Sequence, residues 1–173
     1  MKKNIILCII LSLSLLTLAA CGGGGSDNVL PPPAKTTATV KVSLSGTLGV
    51  DTIAGASFIL TLPANVTPAM TGGVVATSVV RPSGTFDGGT FVTPAPYIPA
   101  VGATPGKLEI TVANSVEAGV STVGEIVTIT LQLANGATPV AADFPPGSNV
   151  SVINPSGATI AGISASVTGV TLQ

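Results

Sequence analysis

Val127-Thr128-Ile129-Thr130-Leu131-Gln132-Leu133 sets four aliphatic side chains against three polar ones in strict alternation. Successive side chains of an extended chain point to opposite faces. A period of two therefore buries Val127, Ile129, Leu131 and Leu133 together and leaves Thr128, Thr130 and Gln132 in water. The β-branched residues suit a pleated, half-buried surface, and Asn135-Gly136 supplies a turn directly after it. A strand with one wet face belongs in an antiparallel sheet.

The same pattern recurs on both sides of this stretch. Leu108, Ile110 and Val112 alternate with Lys107, Glu109 and Thr111. Ala56, Phe58, Leu60 and Leu62 alternate with Ser57, Ile59 and Thr61 until Pro63 stops the run, and Ala38, Val40, Val42 and Leu44 alternate with Thr39, Lys41, Ser43 and Ser45. A further strand is expected over 74–80, between Gly72-Gly73 and Pro82. Toward the end of the chain, Val150 and Val152 mark another. Ile163, Ala165 and Val167 are followed by Val170 and Leu172, and this change of parity at Gly169 predicts a bulge or bend. Prolines interrupt the region from Pro82 to Pro105, which reads as loop with one short strand over 90–92. No segment carries a sustained helical repeat. Eight or nine short strands punctuated by Gly and Pro predict an all-β, antiparallel β-sandwich, with a closed barrel as the competing architecture.

Composition narrows the chemistry. After residue 20 the chain carries four basic side chains (Lys35, Lys41, Arg81, Lys107) against seven acidic ones (Asp27, Asp51, Asp87, Glu109, Glu117, Glu125, Asp143), spread without a cluster. A nucleic-acid ligand calls for a basic stripe, and this sequence has none. There is no His and no Trp, and the two cysteines are Cys8 and Cys21. Zinc, haem and iron–sulfur sites thus lose their usual ligands, and Ser–His or Cys–His nucleophile pairs are excluded from this chain. With no cysteine beyond Cys21, the folded part must be held by its packed core rather than by a disulfide.

Ahead of the strands, Lys2-Lys3 precedes an apolar run from Asn4 to Ala20 that ends in Leu18-Ala19-Ala20-Cys21. A transmembrane anchor is the alternative for this run. It is short for a hydrocarbon core about 30 Å thick, and Ser12, Ser14 and Thr17 interrupt it. A basic start, an apolar core and small residues before a cleavage point make a secretory signal. With a cysteine directly after them, Leu18, Ala19 and Ala20 resemble the lipobox that the signal peptidase of bacterial lipoproteins reads. The resemblance implies that residues 1–20 are removed, that Cys21 carries the lipid, and that the protein resides in the bacterial cell envelope. Gly22, rather than Asp, after the cysteine resembles the pattern of lipoproteins sorted to the outer membrane. Residues 21–35 form a tether, flexible through Gly22–Asn28 and stiffened by Pro31-Pro32-Pro33.

Over residues 36–173 the strand order resembles cohesin-like domains. Gly49–Val66, with its alternating run ending in Pro63 and a short turn, is similar to their second-strand region. Gly124-Glu125-Ile126-Val127-Thr128-Ile129-Thr130-Leu131-Gln132-Leu133 is similar to a late strand, and Ile163–Leu172 to the closing one. This resemblance implies a jelly-roll sandwich related to carbohydrate-binding modules and to the cohesins that dock scaffold partners. It implies a noncatalytic module binding another protein. A polysaccharide ligand is the alternative, and a structural envelope lipoprotein without a specific ligand is a third.

The residues themselves offer few sites. Phe58 lies on an apolar strand face and is expected in the core. Phe86, Phe91 and Tyr97 fall in one Gly/Pro-rich region, where they form either a small platform for a sugar ring or a plug over the open end of the sandwich. Asp51, Asp87 and Glu109 are candidate calcium ligands, but such a site needs six to eight oxygens, and Asp87-Gly88-Gly89 reads more simply as a turn. Glu109 and Glu125 are the best-placed carboxylates for a hydrolytic pair, yet each stands on a wet strand face or at a strand start. Ile59 and Ile126 are apolar residues on otherwise polar faces and are expected to be exposed. Asn65-Val66-Thr67 and Asn149-Val150-Ser151 match the glycosylation sequon by chance in a bacterial chain. No catalytic activity is expected, and no cofactor beyond the lipid on Cys21. The expected partners are the membrane, through that lipid, and a protein or polysaccharide.

Overall fold

The computed structural model describes residues 33–173. Segment 1–20, expected to be a signal and ending in Leu18, Ala19 and Ala20, then Cys21, and nearly all of the expected 21–35 tether lie outside the described residues. Twelve strands run along the described chain: β1 Thr37–Ser45, β2 Gly55–Leu62, β3 Val66–Pro68, β4 Met70–Thr71, β5 Val74–Val75, β6 Val80–Pro82, β7 Thr90–Phe91, β8 Tyr97–Ile98, β9 Gly106–Ala113, β10 Glu125–Leu133, β11 Ser148–Ile153 and β12 Ser164–Leu172. One sheet has the order β12-β1-β10-β3, with β6 also paired to β10. The other has the order β11-β2-β9-β7, with β8 also paired to β9. Every pairing is antiparallel, including the separate β4–β5 hairpin.

The alternating residues meet in one core. Val40, Val42, Ile129 and Leu131 enter it from the first sheet, and Phe58, Leu60, Leu108 and Ile110 from the second. Each of these eight is 1% exposed or less, as expected for side chains that hold a domain together without a disulfide. The polar partners stay outside: Thr39 faces Thr130 on one sheet, and Ser57 faces Thr111 on the other.

Two irregularities reset which side chains point inward. Val42 faces Val127 but Ser43 faces Glu125, so β10 carries one extra residue, Ile126. Such a bulge turns two consecutive residues to one side. Ile126 and Val127 are accordingly both fully buried, and the exposed position expected for Ile126 is corrected. The second irregularity lies where the parity change predicts it. Lys41 faces Gly169 and Val42 faces Val167, leaving Thr168 unopposed on β12.

The strand count exceeds the expected eight or nine because of very short strands. Segment 74–80 is two strands rather than one, β5 and β6, separated by a turn in which the Val79 N–H donates to Ala76 O. The proline-broken region holds β8 as well as β7, each two residues long and each paired to β9. Two residues carry no periodicity, so pattern reading passes over β8.

Candidate functional site

The three aromatic candidates separate by their backbone positions. Phe86 closes a 3-10 turn over Gly84–Phe86 and is 0% exposed, so its ring is core and unavailable to a ligand. Gly84 makes that turn possible. Its φ of +59 favours glycine, and a Cβ there would stand 2.3 Å from Glu125 O. Phe91 pairs with Val112 and Tyr97 with Leu108, and in an antiparallel pair opposite residues share a face. Val112 and Leu108 point inward, so both rings turn toward the core, where they are half-buried. Phe91 and Tyr97 therefore cover the flank of the sandwich, and with Phe86 in the core the three do not form a flat platform.

Tyr97 keeps one side open. It lines a depression of about 260 Å³ with Met70, Val74, Val75, Pro94 and Pro96. Burial pushes its phenol pKa up. It is the one residue of the lining with a polar side-chain group. Met70 and Val74 of this lining are 46% and 49% exposed, and along the β9 edge, outside the lining, Val92, Ile98 and Val101 are 54%, 62% and 74% exposed. Five of the nine large exposed hydrophobics among the described residues thus come from the single stretch between Met70 and Val101. The backbone that presents them is well tied down. Val92 N–H donates to Thr111 O, Glu109 N–H donates to Pro96 O, and Val101 and Thr104 bond to each other. The hairpin carrying Met70 and Val74 turns at Gly72-Gly73, both with positive φ. Gly-Gly between two short apolar runs is a hairpin signal, and it is the one sequence cue that points to this half of the depression.

The carboxylates do not assemble. Glu109 is exposed on β9, paired with Ile59 on the second sheet, whereas Glu125 belongs to the first sheet. Glu125 is held by its neighbours: Lys41 Nζ donates to its Oε2 at 2.9 Å, and Ser83 Oγ and Thr128 Oγ1 donate to its Oε1 at 2.8 and 3.3 Å. These contacts, first the hydrogen bond from Lys41 and then that from Ser83, hold its pKa below the ordinary carboxylate value. Through Ser83, this carboxylate ties the turn before Phe86 to the sheet. Asp51 accepts from Asn154 Nδ2, and Asp87 accepts from the Gly88 N–H. Among the described residues no three of His, Cys, Asp and Glu come together as a metal-binding group.

Compared with known protein families, curated proteins and solved structures, the chain matches none of them.

Proposed function

We propose that this chain is a noncatalytic binding module of the bacterial cell envelope. It is held by a lipid on Cys21 and docks another protein through the apolar surface around Tyr97. The observation that carries this reading is that exposed Met70, Val74, Val92, Ile98 and Val101 all fall between residues 70 and 101. Apolar residues scattered singly over a surface are ordinary, but a group of them beside a depression marks an interaction site. The kinship suggested by the strand pattern, a cohesin-like jelly roll, fits a docking module. A polysaccharide is the weaker ligand for the same place, because sugar recognition calls for several converging polar groups and the lining supplies only the Tyr97 hydroxyl. The lipobox residues Leu18, Ala19, Ala20 and Cys21 support the anchor, and Gly22 supports an outer-membrane address.

Two measurements test this. Metabolic labelling with a radioactive or clickable fatty acid should mark the full-length chain and not its Cys21→Ser variant. Affinity capture from detergent-solubilised native envelopes should recover a defined partner with the wild-type protein and lose it with Val74→Asp or Ile98→Asp, both folded by circular dichroism. Equal recovery by wild type and both variants would remove the apolar surface from consideration.

A further inference from the structure

Sheet edges expose unpaired N–H and C=O groups, and proteins usually blunt them with short strands, prolines, charges or covering loops. Among the described residues, this sandwich blunts nearly all of its edges in that way. Beside β9 run the two-residue strands β7 and β8, joined by a segment that contains Pro94 and Pro96. Beside β10 run the three-residue strands β3 and β6, both ending in proline, with Val79 O accepting from Thr130 N–H between them. The C-terminal end of the β11 edge is closed by the chain that follows it, through bonds from Asn154 N–H to Ala158 O and from Ile160 N–H to Val152 O.

β12 is the exception. It is nine residues long, has no proline and no charged side chain, and pairs with β1 alone, with the 3-10 turn Ala141–Asp143 lying beside part of it. Thr37 and Gln173 exchange both backbone bonds, and bonded and non-bonded pairs alternate along an antiparallel ladder. Leu172 and Val170, opposite Ala38 and Val40, therefore turn their N–H and C=O away from β1. Past the bulge the same parity applies to Val167 and Ala165, and Ala165 O indeed accepts from Gly147 N–H. For Val167, Val170 and Leu172 no such partner is present among the described residues. Their side chains are only half-buried, whereas the facing Ala38, Val40 and Val42 of β1 are 1% exposed or less. At this edge both the hydrogen-bond ladder and the core are incomplete.

We propose that the Val167–Leu172 edge pairs antiparallel with the same edge of a second copy of this chain. An open ladder is satisfied by an extended strand. A two-fold contact between identical edges closes both at once, and the absence of charge on β12 puts no like charges opposite one another along the paired strands. Any other partner strand would have to bring an open edge of its own. The paired sheets would run continuously through both molecules and cover the half-buried Val167, Val170 and Leu172. With so few residues involved the contact is small and exchanges readily, as expected of interfaces below the standard size. Copies held by lipid in one bilayer would meet at a raised effective concentration, but the pairing itself does not depend on the anchor or on the apolar surface around Tyr97.

The test uses the full-length chain in living cells, co-expressed in two epitope-tagged forms. A photo-crosslinking benzoylphenylalanine replaces Thr168 or Thr171, exposed on β12, or Thr111 on the second sheet as a control. Illumination should join the two tagged forms from Thr168 or Thr171 and not from Thr111. Adding Val170→Pro should abolish that product without changing the melting temperature, because the lost N–H points away from β1. Should this variant not fold, Leu172→Lys places a charge on the same edge and should have the same effect. No product between the tagged copies from either β12 position would overturn the proposal. So would a product that survives the folded edge variants, or one formed equally from Thr111.

Discussion

Gly84 shows how tightly a single position couples the loop to the sheet. Its φ of +59 lies in the left-handed region, and a Cβ would meet both Glu125 O and Glu125 Cβ within 3 Å. Gly84→Ala should therefore destabilise the fold by about 2 kcal/mol, combining backbone strain with a backbone clash, which urea or thermal unfolding will measure. Glu125 itself ties stability to pH. Its folded pKa lies below the ordinary carboxylate value. The stabilisation it contributes is present above that ordinary value and is lost as pH falls through the folded one. Glu125→Gln should lower stability near neutral pH, and the gap from wild type should close on acidification. A gap that is constant with pH would show that the Lys41 and Ser83 contacts do not act through the charge. Lys41 is itself half exposed, so the effect is modest and salt-sensitive.

At the scale of the element, β10 combines a legible pattern with a hidden departure from it. The alternation from Val127 to Leu133 fixes its face, and the residues it assigns inward are buried, from Val127, Ile129 and Leu131 at 0% to the half-buried Leu133 at its end. Ile126 breaks the rule because the strand holds one residue more than β1 opposes. The two placements differ in a measurable way. On a Thr-lined wet face Ile126→Thr would be neutral, whereas in the core it should cost about 2 kcal/mol through lost apolar burial and a buried hydroxyl. A bulge is a property of two strands, so nothing within the stretch from Glu125 to Leu133 announces it. The bulge at Thr168 was legible because Gly169 and the shifted apolar parity both lie within β12.

At the scale of the whole molecule, stability rests on the shared core of the two sheets and on edges closed by short, proline-limited strands. No cysteine follows Cys21. The melting temperature should accordingly be unchanged by a strong reductant, and a large downward shift would reveal a bond between chains. The proposed docking surface also belongs to this scale. Met70 and Val74 reach the depression from the β4–β5 hairpin, while Pro94, Pro96 and Tyr97 reach it from the strand that edges β9. These groups are at least twenty positions apart in the chain, and no motif links them.

Sequence alone determined the all-β class, the antiparallel pairing, the inward face of each long strand and the absence of His and of any cysteine beyond Cys21. These follow from composition and from the two-residue period of an extended chain, which is a local property. Tertiary structure decided that Phe86 and Ile126 are core, that Phe91 and Tyr97 lean inward over the flank, that Glu109 and Glu125 stand on different sheets, and that β12 keeps an open edge. Each of these depends on which strand lies beside which and in what register. Register is set by contacts between residues distant in sequence, where local periodicity carries no information.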